Sequence, residues 1–144
     1  MNPYKTPTSP LGNSPENPEN SPWWRVFFWV TVLLTVLTIL GLMSAENLGL
    51  FDYVDFIISL IAVLGLYGYA HYKPLGGVVF WRYFFYTALV ETLVFSGLFP
   101  LLGIPRYGDV DVGYWHLFDI GYALIILRAL YRYAYRSAFV WKLP

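Results

Sequence analysis

The chain has 144 residues, the size of one ordinary domain. Hydrophobic residues make up 58% of it and charged residues 12%, against about 45–50% and about 25% in a soluble domain, and its 9 basic and 9 acidic residues cancel. Such a chain would show large apolar patches to water, which excludes an ordinary soluble enzyme and a basic nucleic-acid binder; the absence of cysteine excludes disulfides, thiol redox catalysis, Fe–S clusters and cysteine-ligated zinc.

Residues 1–22 hold six of the ten prolines, set among Asn, Ser and Glu. A stretch of that composition cannot bury enough apolar area to offset chain entropy and reads as a disordered cytoplasmic tail. It lacks the charged n-region and small-residue cleavage site of a signal peptide. Residues 23–144 follow as one transmembrane domain. Its four apolar stretches predict spans at about 24–43, 54–72, 79–101 and 113–135, each near the ~20 residues that a helix needs to cross a bilayer. The connectors around SAENLG, KPLGG and IPRYGDVDV carry the Gly, Pro and Asn of turns. Tryptophan and tyrosine crowd the span ends, as an interfacial belt does.

Orientation follows from the cations. Lys5, Arg25, Lys73, Arg82, Arg128, Arg132, Arg136 and Lys142 fall on one side of the four predicted spans, and only Arg106 of the nine basic residues falls on the other. The positive-inside rule places both termini in the cytoplasm.

The two halves resemble each other. Trp24-Arg25-Val26-Phe27-Phe28 matches Trp81-Arg82-Tyr83-Phe84-Phe85. At an offset of 64 residues Asp55 matches Asp119, and LYGYA at 66–70 matches LYRYA at 130–134. This predicts an all-α integral membrane four-helix bundle of two tandem hairpins in parallel orientation, related by an axis along the membrane normal. Chance likeness between aromatic-rich apolar segments is the plain alternative.

The alignment exposes two exceptions. Glu91 stands where the first half has Leu34, and Arg128 where it has Leu64. At ~1.5 Å per residue they lie ~16 Å and ~9 Å from the inner surface, within joint reach of two long side chains, and an intramembrane ion pair is the expectation. Pairing lowers the cost of each charge, at least ~2.5–3.5 kcal/mol near the bilayer centre. A proton or ion relay through Glu91 is the functional alternative. In a third arrangement Arg128 snorkels to the inner surface and Glu91 is protonated.

At the outer surface Asp52 and Asp55 align with His116 and Asp119, each pair at an i, i+3 spacing on one helix face. The four could form an outer-face cluster, but acids at helix starts more commonly cap free N–H groups, and no metal is expected. No cofactor is expected either: His71 and His116 fall at opposite ends of spans ~30 Å long, too far apart to ligate one haem. There is no phosphate-cradling glycine loop, GxSxG or HExxH. Ser59, Ala62, Gly65 and Gly68 make a small-residue ridge that permits close helix approach, and Pro100 predicts a kink after Ser96 and Gly97. The C-terminal alternation of arginine with tyrosine continues a span, so Arg132, Arg136 and Lys142 are expected to touch anionic lipid headgroups rather than nucleic acid.

The opening Met1-Asn2-Pro3-Tyr4-Lys5-Thr6-Pro7 resembles the NPYxxP-type start of small bacterial inner-membrane proteins, over about the first seven residues. That resemblance implies a bacterial plasma membrane and a cytoplasm-facing N-terminus. Small multidrug transporters also have four helices and a membrane glutamate, but their essential acid lies in the first helix, where this chain has Leu34. The reading is a non-enzymatic inner-membrane protein, structural or accessory to a membrane complex, with the bilayer and another membrane protein or a second copy as partners. A small transporter or ion-conducting protein using Glu91 is the alternative, and a membrane enzyme with an outer-face site is the third.

Overall fold

The computed structural model describes residues 22–44, 49–99, 102 and 114–141, without the side chains of 114–116. The tail and most of the first and third connectors, with Pro100 and the NPYxxP-type start, lie outside the described residues. Among the described residues there is helix and no strand. Helix α1 runs Pro22–Ser44, α2 Leu50–His71 and α3 Val78–Thr92. A π-helical segment π1, Leu93–Leu98, continues α3. Helix α4 runs Tyr114–Tyr131 and continues as π2, Arg132–Arg136, before the four-residue α5, Ala138–Trp141. Three helical runs are long and apolar enough to cross a membrane: α1, α2, and α3 with π1. The run through α4 holds Asp119 and three arginines with π2 counted, and is more polar.

The sequence explains these helices. Proline at the first position of α1 gives up an N–H that no helix could satisfy there. Inside α1 the hydroxyls of Thr31, Thr35 and Thr38 donate to the carbonyls of Phe27, Thr31 and Leu34 at 2.9, 2.9 and 3.0 Å. Where no water is present, a hydroxyl must find its partner within the protein, and the preceding helical turn supplies it. Helix α2 begins four residues before the predicted span, because Asp52 accepts the Gly49 N–H at 2.8 Å and starts the first turn. It ends where Tyr72 takes a left-handed conformation (φ 54°) and the Lys73 N–H returns to the Gly68 carbonyl at 3.0 Å. Pro74 cannot continue a helix, and Gly76 supplies the second positive φ (67°) of the turn.

Helices α2 and α4 form the middle of the molecule. On one side α1 packs on α2, burying Phe27, Phe28, Leu66, Ala70 and Ala129 together. On the other, Ala62, Trp81, Phe84, Ala88, Leu127, Leu130, Tyr133 and Ala134 join α2, α3, α4 and π2. Close approach depends on α2 glycines. A methyl group at Gly65 would meet Leu130 and Trp81, and one at Gly68 would meet the Tyr133 hydroxyl. Of the predicted small-residue ridge, Ala62, Gly65 and Gly68 are buried and Ser59 is exposed.

Candidate functional site

The packing sorts the described charges other than Glu91 and Arg128 to two ends. The start of α1 meets the end of α2 through Trp24 on Tyr69 and Phe28 on His71. The start of α3 meets the end of α4 through Trp81 on Tyr133 and Phe85 on Tyr131. Arg25, Lys73, Arg82, Arg132 and Arg136 therefore share one end. At the other, Phe51 near the start of α2 packs on Phe95 and Phe99 after α3, beside Asp52, Asp55 and Asp119.

At the basic end Tyr133, fully buried, is the central polar anchor. Its hydroxyl donates to the Lys73 carbonyl at 2.7 Å and accepts the Leu75 N–H at 2.9 Å. The Trp81 indole N–H donates to the Leu75 carbonyl, and the Trp141 indole N–H to the Tyr133 carbonyl at 3.0 Å. One tyrosine thus holds the α2–α3 turn against the end of α4. Tyr72, in that turn, has its pKa raised, first by burial and then by Tyr69, with Arg25 opposing. Arg132 donates to the Tyr69 hydroxyl at 3.4 Å, and the Arg82 guanidinium stands 5.3 Å from the centre of the Tyr135 ring. Of the residues expected to touch lipid headgroups, Arg132 and Arg136 are exposed here, and Lys142 lies outside the described residues.

At the acidic end the expected cluster has separate local uses. Asp52 caps α2. Asp119 accepts the Ser96 hydroxyl at 3.0 Å, across the junction of π1 with α4. Asp55 is half-buried one turn after Asp52. His116 falls in the first turn of α4, and its side chain lies outside the described residues. Among the described residues no three metal-ligating side chains converge.

Glu91 continues the inward stripe of α3: Trp81, Phe84, Ala88 and Phe95 are buried at alternating three- and four-residue steps, and Glu91 fills the missing step, itself half-buried. π1 begins two residues later. Arg128 has a different setting. The buried residues of this stretch are Leu127, Ala129, Leu130, Tyr133 and Ala134; Arg128 is exposed on the opposite arc, in one row with Leu124, Tyr131 and Tyr135. The two expected partners thus stand on different faces of their helices.

Two participants were not singled out in the sequence: Ser96, which reads only as part of a kink, and Tyr133, one of 13 tyrosines. The signal that marks Tyr133 is its place in the repeated LYxYA segment. No protein-family model matches the chain, and no match is found among curated proteins or solved structures.

Proposed function

We propose that this chain is a small multi-pass protein of the bacterial inner membrane, a four-helix bundle of two tandem hairpins, α1–α2 and α3–α4, with both termini in the cytoplasm. Four matched pairs of ring contacts support the duplication. Phe28 meets Tyr67 at 5.5 Å and 59°, and Phe85 meets Tyr131 at 5.7 Å and 57°. Phe28 meets His71 at 85°, and Phe85 meets Tyr135 at 82°. Tyr67 stacks on His71 at 27°, and Tyr131 on Tyr135 at 28°. Trp24 and Trp81 stand edge-on to Tyr69 and Tyr133 at 5.0 and 5.3 Å. Every pair matches its counterpart under the register read from sequence. The collected cations at one end support the orientation.

Its role is structural or accessory to a membrane complex. The observation that carries this reading is the outer stripe of α1. Trp29, Leu33, Leu37 and Leu40, at helical spacing, are 54–63% exposed, and α1 packs chiefly on α2. A peripheral helix with one whole side not covered by the rest of the described chain leaves room for another membrane helix, held by van der Waals packing rather than by apolarity, since lipid tails are as apolar as leucine. A photo-crosslinker in place of Leu37 tests it in native membranes. A discrete protein adduct is expected, and one at twice 16.6 kDa would identify a second copy. Adducts to lipid alone would overturn the reading.

The placement of Glu91 favours a second reading, proton or ion conduction. An inward carboxyl just before a π-helical segment that itself carries the Ser96–Asp119 bond resembles the irregular helices of functional membrane sites. A pH-dependent flux in proteoliposomes, abolished by Glu91→Gln, would establish it.

A further inference from the structure

Arg128 lies on the outer face of a membrane helix, and its row leads to a second arginine. Along α4 and π2 the exposed row runs Leu124, Arg128, Tyr131 and Tyr135; along α3 the exposed row runs Arg82, Tyr86 and Val90. The rows adjoin: Arg82 stands over the Tyr135 ring at 5.3 Å, and Phe85, next to Tyr86 on α3, meets the same ring. Tyr131 stacks on Tyr135, so the floor between the arginines is an aromatic shelf. Arg128 starts seven residues before Tyr135, ~10 Å of helical rise, and a guanidinium at that depth turns toward the headgroup level. Both arginines are therefore directed to one groove. The described carboxylates lie elsewhere: Asp52, Asp55 and Asp119 at the far end, and Glu91 on the inward stripe of α3. Two cations converging without a described acid repel unless an anion sits between them. Farther along the same two helices Val90 and Leu124 are 59% and 58% exposed, so apolar surface lies deeper in the membrane than the cationic end.

We infer that the α3–α4 groove seats an anionic phospholipid, with its phosphate diester between Arg82 and Arg128 and its acyl chains along Val90 and Leu124. Charge complementarity and the exposed apolar residues deeper on both helices select a lipid over a free anion. Native mass spectrometry of the full chain, released from vesicles of equal phosphatidylglycerol and phosphatidylcholine, tests it. Retention of phosphatidylglycerol is expected, reduced about fivefold by Arg82→Gln and by Arg128→Gln and unchanged by Arg25→Gln. Arg82→Lys and Arg128→Lys keep the charge and are expected to retain most of the binding, which separates lost charge from lost folding. Equal retention of both lipids, the same loss in Arg25→Gln, or displacement of the lipid by millimolar inorganic phosphate would overturn the assignment.

Discussion

The Tyr133 hydroxyl reaches from the end of α4 to the Lys73 carbonyl at 2.7 Å, closing the turn between α2 and α3. Because it also accepts the Leu75 N–H, Tyr133→Phe leaves two backbone groups without their partner. The expected cost is about 1–3 kcal/mol, read as a lower midpoint of thermal unfolding in detergent. A midpoint equal to wild type would show that the turn holds without this hydroxyl.

Gly68 presses against that same hydroxyl. Gly68→Ala should destabilise by about 1–3 kcal/mol through overpacking. In Tyr133→Phe the hydroxyl contact goes, but the ring carbon that bore it still lies 2.6 Å from the added methyl, so the relief should be partial and the two changes together should cost only somewhat less than the sum of each alone. Additive losses would show that the glycine matters for another reason.

Ser96 and Asp119 join π1 to α4. Ser96→Ala removes the donor and should cost about 1 kcal/mol, whereas Asp119→Asn keeps an oxygen acceptor and should cost less. If Asp119→Asn is the more damaging change, the negative charge itself is required, and the conduction reading gains.

The faces of Glu91 and Arg128 bear on the ion pair expected from sequence. With Arg128 assigned to the lipid groove, Glu91→Leu and Arg128→Leu should be additive within about 0.5 kcal/mol. A double variant no worse than either single one would restore the pair. Unfolding midpoints of the three variants in one detergent decide between them.

Helix positions were legible because lipid as solvent leaves a coarse signal, long charge-free runs such as Val26 to Met43. The proposed duplication rests on matched aromatics, Phe28 with Phe85 and LYGYA with LYRYA, whose rings make like contacts in the two halves. Helix starts were less legible: Asp52 extends α2 by capping Gly49, an effect of one side chain that hydropathy does not register. The faces of Glu91 and Arg128 were not legible, since depth along a helix is a matter of counting, whereas facing depends on which neighbours pack. Nor was π1, because local widening depends on how each turn is closed by its neighbours. The role of Tyr133 depended on a turn 60 residues away in sequence.

In the proposed arrangement two tandem hairpins cross one membrane, with all described cations but Arg128 gathered at the cytoplasmic end. The chain has no cysteine, so single cysteines can be placed without background. Labelling of Lys73→Cys, Gly49→Cys and Ser137→Cys with a membrane-impermeant maleimide in intact spheroplasts tests that arrangement most directly. Gly49→Cys should label from outside, and Lys73→Cys and Ser137→Cys only after permeabilisation, with Ser137 read in urea because it is buried. Labelling of Lys73→Cys and Gly49→Cys from the same side would contradict it.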